Sequence, residues 1–408
     1  MIKSIVVKDK RYPLKGGAGS DAIHKEPVYS YAVTELYDDK GHTGIGLAFT
    51  VGSGNELVCM AAKFYADKLI GKDIEEMMHS FGSLFKELSD EQQYRWIGPH
   101  KGVAHLGLAS VTNACFDLWA KSRKQPLWQL LISLSAEEIV DLLDLSYLED
   151  ELTRQQAIDL IGLNQYGKED RAGIVNTGYP GYDTSVGWFN YSDEQIRDNV
   201  KKAIDKGFTA MKLKVGARNS IDDLRRADIV RSAAGQDATI MLDANQQWTL
   251  PQALDICKQL QQMNPYWIEE PTHPDDVLAH KVLADAIAPL KLALGEHVPN
   301  RVLFKNYLQS ACAGFIQVDA VRVGGVSEFL TVSLLSKKFG VPVVPHVGDM
   351  GQLHQHLVLV NHIVFGHDAL FLEHIPHLKH AFVHPVQIKN GAYQVPTEAG
   401  SSCDLNDL

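Results

Sequence analysis

The stretch MKLKVGA, residues 211–217, reads as a buried β-strand that carries two cations. Lys212 and Lys214 are two residues apart, so their side chains leave one face of the strand while Met211, Leu213 and Val215 leave the other. Burying one unpaired ammonium is costly, and packing two side by side is worse, unless compensating negative charge lies close to both. The source of that charge has to be sought in the neighbouring strands.

From about residue 140 onward, short apolar, β-branched runs alternate with polar loops and segments of helical periodicity. The runs are VDLLDLSYL (140–148), AMKLKVG (210–216), ATIMLDAN (238–245), YWIEEP (266–271), LKLALGE (290–296), GFIQVDA (314–320), VPVVPHV (341–347) and ALFLEH (369–374). Eight strands alternating with helices predict parallel pairing and closure into a TIM-like α/β barrel. Ser192 and Ser327 are expected to cap the helices DEQIRDNVKKAIDKG and SEFLTVSLLSKKFG. The interval 149–209, with its Gly/Tyr/Trp-rich GYPGYDTSVGWFNYSDE, reads as an insertion before the second strand. Residues 1–139 mix strands such as YSYAVTELYDD with several helices, an α+β domain. The expected division is therefore 1–139 as an N-terminal capping domain, 140–383 as the barrel, and 384–408 as a tail returning to the cap.

Composition narrows the function. The 408 residues exceed a single ordinary core, and with 45% hydrophobic and 22% charged residues the chain is neither disordered nor membrane-spanning. A net charge of −11 disfavours nucleic acid and anionic membranes as partners, though not a small anion held through a bound metal. The five cysteines are scattered and lack CxxC spacing, which argues against disulfides and a thiolate zinc site. The charged start MIKSIVVKDKRYP has no apolar signal core, so a cytoplasmic protein is expected.

In a parallel barrel the active site lies at the carboxyl ends of the strands. Polar residues there follow a regular series: Lys212 and Lys214, Asp243 and Asn245, Glu269 and Glu270, Glu296 and His297, Asp319, His346, and Glu373. Asp243, Glu269 and Glu296, one from each of three successive strands, form an arc of hard oxygen ligands of the kind Mg²⁺ takes. A lysine on one side of such a metal and a histidine on the other suit removal of a proton next to a carboxylate, a known pattern of the enolase superfamily.

The motifs GSDA (19–22), FTVGSGNE (49–56), RWIGPHKGV (95–103), TSVGW (184–188), KLKVGA (212–217), DANQQW (243–248), WIEEPTHPDD (267–276), GEHVPNRVLFK (295–305), QVDAVRVGGVSE (317–328) and PVVPH (342–346) carry a resemblance along nearly the whole chain. Residues 140–375 resemble the (β/α)7β barrel of the enolase superfamily, mandelate racemase branch, and residues 1–139 its capping domain. Within that branch the motifs narrow the resemblance to the L-fuconate and L-galactonate dehydratase group.

That resemblance implies one Mg²⁺ on Asp243, Glu269 and Glu296, and Lys214 as the base for the C2 proton, with Lys212 gripping the substrate carboxylate. It implies His346, paired with Asp319, as the acid for the leaving 3-hydroxyl, and Glu373 as a further acid. Asn245, Ser20, Asp21, Trp188 and Arg322 are the expected substrate-binding residues, and Trp96 and Tyr182 are further candidates for the pocket wall. The implied reaction is dehydration of an acid sugar, an aldonate such as L-fuconate or L-galactonate, by a homo-oligomer, dimer or octamer. A racemase or epimerase, a galactarate or rhamnonate dehydratase, and a lapsed binding protein are the alternatives. The Lys212 cation and the metal are expected to lower the pKa of Lys214.

After His346 the chain reads VGDMGQLHQH where this group has a glycine-rich stretch, and Asp349 replaces a small residue in a loop expected to border the substrate. His354 and His356 read as ordinary loop or helix-start histidines, and RVGGVSE as tight packing before a helix.

Overall fold

The computed structural model describes residues 1–217 and 219–406. Strands β1 (Ile2–Pro13), β2 (Val28–Asp38) and β3 (Thr43–Val51) form an antiparallel sheet in the order β1-β2-β3. The helix Gly102–Ser122 lies across that sheet, where Ser110 Oγ donates to the carbonyls of Ala32 (2.9 Å) and Gly46 (3.1 Å).

The second body is the parallel barrel. Its strands are β4 (Tyr179–Gly187), β5 (Ala210–Lys214), β6 (Thr239–Asp243), β7 (Ile268–Glu269), β8 (Leu292–Leu294), β9 (Phe315–Ile316) and β10 (Leu372–His374). They pair in sequence order from β4 to β9, Ile316 then bridges in parallel to Val343 at the seventh position, and β10 pairs back onto β4. Seven of the eight expected runs thus lie on the barrel. The first does not: Val140 belongs to the helix Ala136–Asp141, and the first barrel strand is Tyr179–Gly187, inside the stretch expected to be an insertion. The apolar residues of VDLLDLSYL are buried against helices rather than in a sheet, and a short apolar run carries no periodicity that separates those two cases.

Alternation within the strands builds two layers. Met211, Leu213, Ile240, Leu242, Ile268 and Leu292 pack outward against the surrounding helices. On the other parity Ala210, Met241, Trp267, Ala293, Phe315, Val344 and Tyr182 fill the barrel interior. Continuing those same inward positions toward the carboxyl ends gives Lys212, Lys214, Asp243 and Glu269, so the apolar plug ends where the charged residues begin.

The cap docks on the loop after β9. Thr112 Oγ1 donates to the Gly324 carbonyl (2.7 Å), and Asn113 Nδ2 donates to the Ala320 carbonyl (2.9 Å). Gly325 adopts φ +90°, and a Cβ there would meet Thr112 Oγ1 at 2.0 Å, so this approach requires glycine. RVGGVSE is therefore a packing and helix-start element. Ser192 caps its helix, with its side chain accepting from Gln195 N, but Ser327 lies inside the helix Val326–Lys338 and donates to the Leu142 carbonyl.

A buried charge network ties cap to barrel. Arg301 lies 3.1 Å from Glu328 and 2.5 Å from Asp144, and Glu328 also meets His105 of the cap helix at 2.6 Å. Arg301→Met is expected to leave those carboxylates without their cation and to lower stability by about 3–5 kcal/mol. Urea unfolding read by circular dichroism checks this, and an unchanged midpoint removes the network from the stability of the interface.

The tail departs from the expected return to the cap in its first part. Strands β11 (Ile388–Lys389) and β12 (Ala392–Tyr393) form a hairpin that extends the barrel sheet at β4. The cap is reached only afterwards, where Ser401 N and Oγ donate to Asp117 and Lys121 pairs with Asp404 at 2.7 Å. Asp407 and Leu408 lie outside the described residues. No helix among the described residues is long and apolar enough to cross a membrane.

Candidate active site

A cavity of about 300 Å³ opens between the barrel mouth and the cap. From the barrel it is lined by Trp188, Lys214, Asn245, Glu296, Arg322, His346 and Glu373, and from the cap by Asp21, His24, Tyr29, Phe49 and Thr50. Lys212, Asp243, Glu269 and Asp319 lie directly behind that wall, almost fully buried. Four expected residues are placed otherwise. Ser20 pins a loop, donating to the Gly17 carbonyl (2.7 Å) and accepting from Asn190 N (3.0 Å). Trp96 is 89% exposed and away from the cavity, and Tyr182 is buried in the plug. Asp349 is buried and does not border the cavity, because its carboxylate is turned back onto the backbone N–H groups of Leu353 and His354.

The lysine pair finds its counter-charge. Lys214 Nζ is 2.5 Å from Asp243 Oδ2, while Lys212 Nζ is 2.8 Å from both Glu269 and Glu373 and 3.4 Å from Asp243. Strand register produces these contacts, since Lys214 is opposite Asp243 and Asp243 opposite Glu269. Glu296 follows Gly295, where a Cβ would lie 2.4 Å from the Gln317 backbone, so only glycine lets the chain turn Glu296 over the neighbouring strand. Arg322 Nε donates to the Glu296 carbonyl at 2.8 Å and steadies that turn.

Burial opposes the charge of Lys214, as does the Lys212 cation, but Asp243 together with Asp21 and Glu296 outweighs them and holds the lysine above its ordinary pKa. The expected lowering is therefore absent while Asp243 is bonded to the lysine. Burial likewise opposes the charge of Lys212, yet Glu269 and Glu373 keep it well above the usual value. For the acids, burial and the charge of Asp243 push Glu269 up to about 8. Glu296 stays below the usual carboxylate range because His346, His297 and Arg322 outweigh its burial. His346 Nδ1 meets Asp319 Oδ2 at 2.7 Å and its Nε2 lies 3.5 Å from Glu296. Burial opposes its charged form, but Glu296 and Asp319 raise it to about 9.

Whether the acids fit a divalent cation can be judged from their atoms. Asp243, Glu269 and Glu373 converge on the Lys212 ammonium, Glu296 lines the cavity with Glu373, and Glu373 Oε2 and Asn245 Oδ1 are buried acceptors with no hydrogen-bond donor among the described residues. The set is oxygen-rich and anionic, which suits a hard cation. Among the described residues the one grouping of three whose ligand atoms already lie within 4.8 Å of one another is not the expected set but a second one, Glu270, Glu296 and His297. There, however, Glu270 Oε1 accepts the His297 N–H (3.0 Å), Glu270 Oε2 lies 2.9 Å from His297 Nδ1, and Gln246 Nε2 bonds to both side chains, so their lone pairs are largely committed.

Of the cap residues on the wall, Thr50 stands in the quoted FTVGSGNE, but His24 and Tyr29 were not foreseen. His24 Nδ1 meets Asp21 Oδ2 at 3.0 Å, a spacing of three residues that the sequence does contain.

A parallel barrel with an α+β cap and basic and acidic groups at its strand ends defines the class, and the chain belongs to the enolase superfamily. A family model described as Enolase C-terminal domain-like matches residues 195–408. Over its whole length the chain is 40% identical to mitochondrial enolase superfamily member 1 of Bos taurus, covering 94% of that protein. It is 39% identical to the L-galactonate dehydratase of Hypocrea jecorina over 98% of this chain and 90% of that one. The crystal structure of human mitochondrial enolase superfamily member 1 matches with a TM-score of 0.97 at 39% identity, over 100% of this chain and 94% of the other. That of L-talarate/galactarate dehydratase from Salmonella typhimurium, liganded with Mg and L-lyxarohydroxamate, matches at 0.78 and 25% identity, over 100% and 91%.

Proposed function

We propose that this protein is a Mg²⁺-dependent acid-sugar dehydratase, a hydro-lyase that converts an aldonate such as L-galactonate or L-fuconate to its 2-keto-3-deoxy acid. The observation that carries the proposal is one cavity reached by Lys214 from β5 and by His346 from the seventh strand position, with the carboxylates of β6 to β8 between them. The likeness to L-galactonate dehydratase supports the reaction class and the aldonate. The Mg-bound relative supports the metal.

Asp243, Glu269 and Glu296 would hold the cation, which when bound would supply positive charge to stabilise an enediolate; an Asp243 carboxylate engaged there would no longer hold Lys214 protonated. Lys214, once neutral, takes the C2 proton, and the C–H electron pair becomes the enediolate π bond. The 3-hydroxyl departs as water on receiving a proton from His346 Nε2, and the enol then ketonises as its hydroxyl proton passes to His346, which returns a proton to C3. Asp319 holds His346 Nδ1 so that Nε2 faces the cavity. Lys212, behind the wall, neutralises the floor rather than reaching far into the cavity, and Glu373 and Arg322 flank the carboxylate end. Trp188, whose ring centroid is 5.2 Å from Lys214 Nζ, limits water around the base. The five free cysteines support a reducing compartment, and we infer a cytoplasmic location.

Incubation with a panel of aldonates and aldarates and Mg²⁺ in D₂O, with semicarbazide detection of 2-keto acids, tests the reading. Deuterium entering C2 without keto-acid formation would turn it into a racemase. The metal assignment is tested separately by calorimetry. Glu296→Gln and Glu269→Gln are each expected to weaken Mg²⁺ binding by about tenfold or more, and Glu270→Gln to leave it nearly unchanged. Loss confined to Glu270→Gln and Glu296→Gln would move the metal to the second grouping.

A further inference from the structure

The row of charged contacts behind His346 does not stop at Asp319. Asp319 Oδ2 meets His346 Nδ1 at 2.7 Å, and Asp319 Oδ1 meets His354 Nε2 at 3.1 Å. His354 Nδ1 in turn meets Asp349 Oδ1 at 2.6 Å. Carboxylate and imidazole therefore alternate in a buried row of four, Asp349, His354, Asp319 and His346, that ends at the cavity wall. Its inner end is fixed to the backbone. Asp349 Oδ1 accepts from Gly351 N (3.0 Å), and Oδ2 accepts from Leu353 N (2.5 Å) and His354 N (3.3 Å) at the start of the helix His354–Ile363. The Phe329 ring packs edge-on against His354, with centroids 5.8 Å apart.

We propose that His354, anchored by Asp349, is a positioning residue for the reaction. It holds the Asp319 carboxylate so that one oxygen stays on His346 Nδ1 and His346 Nε2 stays aimed at the substrate. An imidazole with a carboxylate at each ring nitrogen donates to both, and this bridge is what VGDMGQLHQH supplies in place of a glycine-rich stretch. Burial opposes the charged form of His354, but Asp349 and Asp319 outweigh it and raise the group to about 10, in keeping with a two-donor bridge. The competing account is that backbone donors suffice, since Asp319 also accepts from Val321 N (2.8 Å) and Gly348 N (2.9 Å), and that His354 only fills space. Ala320 N, 2.9 Å from His354 Nε2, would then bond to a neutral ring.

The inference rests on the proposed acid role of His346, and the test separates the two. His354→Asn keeps an amide near the Nδ1 position, facing Asp349, but does not reach Asp319, whereas His354→Gln places an N–H near the former Nε2. His354→Asn is expected to lower kcat on the order of ten- to hundredfold with KM within about twofold, and His354→Gln to recover most of it. Independently of substrate and metal, the downfield proton NMR signal of the His346 ring N–H, identified by its loss in His346→Asn, is expected to shift or broaden in His354→Asn and to return in His354→Gln. A folded His354→Asn protein with that signal and kcat unchanged overturns the proposal, as does equal loss in both variants with the signal unmoved. If no acid sugar is turned over by the parent protein, the dehydratase reading fails, while the N–H signal still decides the bridge.

Discussion

Lys214→Ala is expected to reduce formation of the 2-keto-3-deoxy product by about 10²–10⁴-fold, the contribution of a positioned acid–base group. Mg²⁺ binding measured by calorimetry is not expected to weaken, because the substitution removes an ammonium 2.5 Å from Asp243 that competes for the same carboxylate. Lys212 cannot replace the lost base, since it is bonded to Glu269 and Glu373 and is absent from the cavity wall. Lys214→Arg keeps the charge but not a group that deprotonates, so it is expected to be as inactive as the alanine variant. Appreciable turnover by either variant takes Lys214 out of the role of base.

His346→Asn separates the two halves of the reaction. Elimination is expected to fall by about 10²–10⁴-fold for want of the proton delivered to the leaving hydroxyl. Exchange of the C2 proton with D₂O is expected to persist, because Lys214 reaches the cavity from a different strand and its contact with Asp243 does not involve His346. Proton NMR of the recovered substrate reads the exchange, and the semicarbazide assay reads the product. Loss of both together would assign His346 to formation of the enediolate.

The barrel was legible because its strands are short and apolar, with inward-facing charge gathered at their carboxyl ends. KxK and the carboxylates that follow are consequences of period-two alternation meeting strand register. The error at VDLLDLSYL has the same root in reverse, since an apolar run of nine residues buries equally well against helices. Tyr179–Gly187 reads as a loop because of its glycines, its tyrosines and Pro180. At the site, residues projecting from barrel strands were found by position, whereas Ser20, His24 and Tyr29 depend on how the cap lies over the mouth, a long-range packing that no local pattern encodes. The sequence displays the cation beside Lys214 but not the 2.5 Å contact with Asp243, which holds the lysine protonated where no metal takes up that carboxylate.

The bond from Ser401 to Asp117 bears on the order of synthesis. Asp117 is buried in the cap's longest helix; its Oδ2 is met within the cap by Ile45 N and Lys121, but its Oδ1 accepts from Ser401, 284 positions later in the chain. A ribosome has therefore released the whole barrel before the cap receives its last partner, and the substrate-facing domain, first to be made, is the last to be completed. Released chains truncated after residue 399 are accordingly expected to show a protease-sensitive cap beside a resistant barrel, and equal resistance of the two would remove this order.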